Sequence, residues 1–139
     1  ADNATQAGLD NTWGNDNKVI AGGKGSMTDR GTHVPLFVRW PGKIKAGSVC
    51  DELIDFSDLF PTLCEIAGAP LPDQKLHGQS FLPLLLQQET NAREWVHVQN
   101  KSSRHIRDHD YILNDKDELR PVVKIWEMSA KANQNINPE

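Results

Sequence analysis

Between Gly22 and Pro41 a glycine-rich turn runs straight into an apolar segment, and this junction constrains the fold of the 139-residue chain more than any other stretch. Val34 to Trp40 is mostly apolar, with β-branched and aromatic members, and Pro41-Gly42 ends it. Such a run predicts a central strand covered on both faces. Just ahead, Gly22-Gly23-Lys24-Gly25 sets one lysine among glycines. Glycine tolerates positive φ and lets the backbone approach a ligand without a Cβ in the way. A lysine held there is a compact cation suited to a tetrahedral oxyanion. A nucleotide-binding P-loop would need Gly where Lys18 stands and Ser or Thr where Gly25 stands, so that motif is excluded.

The rest of the chain reads as two regions. Residues 4–23 are rich in Asn, Asp and Gly without periodic hydrophobicity, which predicts a long loop. Ser57 is placed to cap a helix from about Asp58 to Ala67, with Pro61 in its first turn and Gly68 just past its end. Leu59, Phe60, Leu63, Ile66 and Ala67 give that helix an apolar face, and Asp58 suits the positive end of its dipole. Phe81 to Leu86 predicts a single helical turn. From Trp95 onward short alternating stretches, Trp95-Val96-His97-Val98, His105-Ile106-Arg107 and Tyr111-Ile112-Leu113, predict a small antiparallel sheet. Glu127 to Glu139 is polar and expected to be peripheral.

Charge narrows the functional classes. A net charge of -4 and a pI near 5.7 give no basis for binding nucleic acid or an acidic membrane surface. Lys101, Arg104 and Arg107 are the nearest approach to a basic cluster. No apolar run reaches the roughly 18 residues of a transmembrane helix. Two cysteines read as free thiols rather than a disulfide framework. His97, His105 and His109 are spaced by eight and four, which fits no common zinc pattern, so they read as scattered surface histidines. Asp2-Asn3 offers hard oxygen donors of the kind calcium and magnesium select, although an isolated pair of this type more often makes a turn.

Taken in order, several blocks resemble the C-terminal part of a type I sulfatase of the alkaline-phosphatase superfamily. They are Asp2-Asn3-Ala4-Thr5, Gly22-Gly23-Lys24-Gly25-Ser26-Met27-Thr28-Asp29, Gly31-Thr32-His33-Val34-Pro35 and Trp40-Pro41-Gly42-Lys43. Ser57-Asp58-Leu59-Phe60-Pro61-Thr62-Leu63, Gly78-Gln79-Ser80-Phe81-Leu82-Pro83-Leu84-Leu85 and Glu118-Leu119-Arg120-Pro121 continue the series. The resemblance implies an α/β fold: the C-terminal part of an alkaline-phosphatase-like core over residues 1–90, with a small antiparallel subdomain over 91–139. It implies that Lys24 contacts the sulfate group and that Asp2 and Asn3 help bind a divalent cation, usually calcium, with magnesium as the alternative. Ala4 departs from the family's usual Asp-Asn-Gly, and His33 stands where the family often carries Arg or His facing substrate.

The family's nucleophile, a formylglycine made within a Cys/Ser-x-Pro-Ser-Arg motif, matches neither Cys50-Asp51-Glu52 nor Cys64-Glu65-Ile66. The expectation is therefore a piece of a sulfatase that is inactive alone, its cation site unfilled. Its partner would be a sulfated small molecule or glycan, in a periplasmic, secreted or lysosome-like compartment. A phosphodiesterase or phosphonate hydrolase of the same superfamily, and a noncatalytic remnant, remain as alternatives.

Overall fold

A computed structural model describes residues 10–13, 18–88 and 92–123. The chain divides into two compact units: one combines the segment up to Leu36 with the segment from His97 onward, and the other is Phe37–Val96.

In the first unit, β1 (Asp10–Trp13) and β2 (Lys18–Ala21) pair antiparallel, with Asp10 opposite Ala21 and Trp13 opposite Lys18. Over residues 10–13 and 18–21 this pairing corrects the long loop expected across 4–23, of which residues 4–9 and 14–17 lie outside the described residues. Backbone pairing needs no hydrophobic alternation, so periodicity gave no sign of it. The chain then turns through Lys24 into α1 (Asp29–Thr32), a single turn closed by the His33 N–H on the Asp29 carbonyl at 2.9 Å.

A four-stranded sheet follows in the order β3 (Val96–Gln99), β4 (Arg104–Arg107), β5 (Tyr111–Asn114) and β6 (Leu119–Pro121). It bears out the small sheet expected from Trp95 onward, and β4–β5 and β5–β6 are antiparallel. Register pairs His105 with Asn114, Arg107 with Ile112, and Ile112 with Arg120. Side chains alternate along strands, so these five share one face. Ile106, Tyr111, Leu113 and Leu119 occupy the other face, which is largely exposed.

The second unit is organised by a 3₁₀ turn, Phe56–Asp58, that feeds α2 (Leu59–Ala67). Gly68 ends the helix in the left-handed region at φ 63°, where a Cβ would be strained. Asp55, rather than Ser57, is the cap: its carboxylate accepts the Ser57 N–H at 2.8 Å, and the Asp58 carboxylate accepts the Asp55 N–H at 2.8 Å. The inward face also differs from expectation. Pro61 and Thr62 are buried, whereas Phe60, Leu63 and Ile66 are exposed. Thr62 packs inward because its hydroxyl is used twice, donating to the Asp58 carbonyl at 2.6 Å and accepting the Phe81 N–H at 3.0 Å.

Phe81 is the best-buried apolar side chain of this unit and leads into α3 (Leu82–Leu85), the helical turn that the apolar run predicts. Asp58 is a buried cross-link rather than a dipole partner. At 1% exposure it accepts from Arg93 Nε at 3.1 Å, from Arg93 Nη2, and from the Gln79 N–H at 2.8 Å.

Val34 to Trp40 forms no strand. Leu36 and Val38 are largely exposed and Phe37 is 91% exposed. A central strand needs a hydrogen-bonded neighbour on each edge, and among the described residues none pairs with this segment. Trp95 is half exposed.

Candidate active-site turn

The Lys24 turn is built by glycines at two places. Gly25 adopts φ +82°, a conformation that L side chains rarely take, and the Ser26 N–H closes the turn on the Gly23 carbonyl at 2.9 Å. Gly31 faces the same turn from α1: a Cβ there would collide with the Ser26 and Gly23 carbonyl oxygens and lie 2.8 Å from Ser26 Oγ. Turn and helix are thus in direct backbone contact. Lys24 itself is exposed, and among the described residues no carboxylate pairs with it.

Asp29 is the first residue of α1. It is 3% exposed, and Arg107 Nη1 donates to Asp29 Oδ1 at 2.5 Å across 78 residues of sequence. His33 Nδ1 lies 3.4 Å from Asp29 Oδ2. Burial pushes the Asp29 carboxyl up, but the hydrogen bonds of His33 and Arg107 and their charges outweigh it, leaving the group below its ordinary 3.8. The carboxylate is therefore ionised at neutral pH, and the Arg107 guanidinium balances its charge.

His105 shares the sheet face with Arg107 and is 3% exposed, which corrects its reading as a surface histidine. Burial first, then the positive charges of Arg107, His97 and Arg120, holds its imidazole below the ordinary 6.5. Its Nε2 is buried and has no hydrogen-bond partner among the described residues. An open hollow of about 260 Å³ beside β4 and β5 is lined by His97, Arg104, His105 and Asp115 among others, and does not include Lys24.

Of the residues singled out from sequence, the structure brings His33 to Asp29 and puts Lys24 on the adjoining turn. Asp2 and Asn3 lie outside the described residues. Among the described residues no group of three or more His, Cys, Asp or Glu could hold a metal ion, and no helix is long and apolar enough to cross a membrane. Sequence reasoning missed Asp29 and Arg107 as partners. One signal was available: the alternation His105-Ile106-Arg107 puts the histidine and the arginine on one strand face.

Comparison with known proteins bears directly on this turn. A family model described as N-sulphoglucosamine sulphohydrolase, C-terminal, matches residues 23–128, from the lysine turn through the four-stranded sheet. The chain belongs to this sulfatase family. It is 36% identical over 115 residues to an ulvan-active sulfatase of Formosa agariphila, covering 83% of this chain and 21% of that protein. Human steryl-sulfatase is 41% identical over 73 residues, covering 52% of this chain and 12% of the relative. Human arylsulfatase A is 47% identical over 64 residues, 46% of this chain and 12% of the relative. The chain thus spans about a fifth or less of the length of these curated relatives.

Proposed function

We propose that this sulfatase-family chain is the C-terminal part of a sulfuric ester hydrolase, with Lys24 as its sulfate-binding cation. One observation carries the reading: an exposed lysine sits on a glycine-built turn packed against the helical turn that carries the buried Asp29–Arg107 pair, inside the segment matched by the family model. A sulfate monoester is a stable anion, and its cleavage places further charge on the leaving oxygen. A preplaced ammonium group offsets sulfate charge and orients the ester, which are positioning and electrostatic contributions to catalysis.

His33 is the second residue we assign to the substrate side. Its Nδ1 is oriented by Asp29, which fixes the direction of the ring. Asp2 and Asn3 carry the carboxylate and amide oxygens that suit a divalent cation, calcium or magnesium. That cation would neutralise sulfate charge when bound. Neither Cys50 nor Cys64 has the sequence context of a formylglycine precursor, so the nucleophile belongs to another part of the intact protein. The substrate class is a sulfated small molecule or glycan, in a secreted, periplasmic or lysosome-like setting, on an alkaline-phosphatase-like core.

The test is Lys24→Ala in the sulfatase that carries this chain, assayed with 4-nitrophenyl sulfate. Turnover is expected to fall by about 10² or more, as on loss of an oxyanion donor. Near-normal turnover refutes the role of Lys24. Hydrolysis of bis(4-nitrophenyl) phosphate in preference to the sulfate ester refutes the sulfatase reading in favour of a phosphodiesterase.

A further inference from the structure

We infer that Arg107 is a positioning residue for Lys24, acting through Asp29 to fix the turn that presents the lysine. The inference rests on the sulfatase reading for its chemical consequence, and on contacts alone for its structural one. Three of those contacts run in series. Arg107 on β4 holds the buried Asp29 carboxylate at 2.5 Å. Asp29 opens α1, whose third residue, Gly31, has no room for a Cβ against the carbonyl oxygens of Gly23 and Ser26. Gly23 in turn lies so close to Arg30 that a Cβ there would collide with the Arg30 side chain and stand 2.9 Å from the Arg30 carbonyl carbon. Lys24 sits between Gly23 and Gly25, so its backbone cannot shift without moving one of these contacts.

The need for such an anchor follows from the local structure. A four-residue helix is far too short to hold its own conformation, and a turn with Gly25 at φ +82° has little intrinsic preference for one shape. Rigidity must come from outside the segment. Arg107 is well placed to supply it, because its own side chain is 12% exposed and its strand is bonded to β5. A guanidinium on a sheet is a fixed fork, whereas a lysine in that place would be a mobile point charge. The C-terminal sheet thus acts as a platform that sets where the sulfate-binding ammonium stands. His33, bound to the same carboxylate, is oriented by the same anchor.

Hydrogen exchange on the full chain tests the structural claim without any sulfate ester. The reporters are the Ser26 and Gly31 amides, bonded to Gly23 and Thr28 carbonyls at 2.9 Å each. Arg107→Met is expected to accelerate both by about tenfold or more, as local opening replaces a closed turn. The Gly68 and Ala69 amides, in the other unit, should exchange as before, and Arg107→Lys should give a smaller acceleration. Unchanged exchange at Ser26 and Gly31 in a folded Arg107→Met chain overturns the proposal. So does loss of protection across β4 and β5 as well, since Arg107 would then support the whole sheet rather than position one turn.

A double-mutant comparison in the sulfatase carrying the chain tests the chemical claim. Arg107→Met should lower kcat/KM for 4-nitrophenyl sulfate by about tenfold when Lys24 is present, and by less than about twofold in the Lys24→Ala background. Equal losses in both backgrounds overturn action through Lys24. If Lys24→Ala alone leaves turnover normal, the sulfatase assignment of Lys24 fails, and the exchange result still decides whether Arg107 holds the turn.

Discussion

Arg93→Met is the substitution for which the structure makes the sharpest claim about stability. Asp58 has 2% of its side chain exposed and Arg93 has 13%, so the pair is held away from water. Removing the guanidinium leaves a buried carboxylate whose remaining donors are the Asp55 and Gln79 N–H groups, both at 2.8 Å. Breaking a buried pair by deleting one partner costs about 3–5 kcal/mol. The two backbone donors persist, which puts the expected loss near the lower end, about 3 kcal/mol. With a urea m-value of about 1–3 kcal/mol/M, the unfolding midpoint should fall by roughly 1–3 M without a change in m.

Urea titration followed by tryptophan fluorescence reads this directly, since Trp40 and Trp95 both lie in the Phe37–Val96 unit. The double variant Asp58→Asn/Arg93→Met removes both charges and should lose less than the sum of the two single variants, because no uncompensated buried charge remains. A loss below about 1 kcal/mol in Arg93→Met, or strict additivity in the double variant, refutes the view that this pair ties the start of α2 to Arg93.

Two further outcomes follow, one in each unit. Gly78→Ala should destabilise the Phe37–Val96 unit by about 2 kcal/mol or more, read as a lower Tm. Its Cβ would collide with the Ser57 carbonyl and lie 2.8 Å from the Asp58 nitrogen, which must then move. Acidification should weaken the first unit in two stages. His105, held below 6.5, contributes stability that is fully present above about 6.5 and is lost as pH falls through its lower folded value. Asp29, held below 3.8, contributes stability present above about 3.8 and lost as pH falls through its own folded value. Tm measured from pH 8 to pH 3 should therefore decline first below about pH 6.5, and His105→Gln should flatten that first decline while leaving the acid limb. An unchanged first decline in His105→Gln would assign it to another group.

The elements that sequence reasoning found were those whose cause is local. Gly68 ends α2 because a left-handed residue is needed there and glycine tolerates it. The alternation after Trp95 is a property of neighbouring residues, and four strands form there. Where the cause was distant, reading failed. Val34 to Trp40 has the composition of a buried strand, but composition supplies no edge to pair with, and among the described residues the segment has none. The periodicity of α2 located an apolar face at Phe60, Leu63 and Ile66, yet the helix buries Pro61 and Thr62 instead, where a hydroxyl can satisfy backbone groups at both the Asp58 and Phe81 positions. Asp58, read as a dipole partner, is committed to an arginine 35 residues away.

For the candidate site the division runs through one turn. The chain's sequence alone determined that a lysine would sit among glycines ahead of an apolar run, and ordered motifs tied that turn to the sulfatase family that the comparisons then showed. Those are properties of adjacent residues, and adjacency is what a sequence records. Only the tertiary structure decided that Asp29 would be buried, that Arg107 would be its partner, and that His33 would lean on the same carboxylate. An aspartate and an arginine 78 positions apart carry no local sign of each other. Their pairing exists because the sheet's register turns Arg107 to the face that also carries His105, where a buried carboxylate must find a cation.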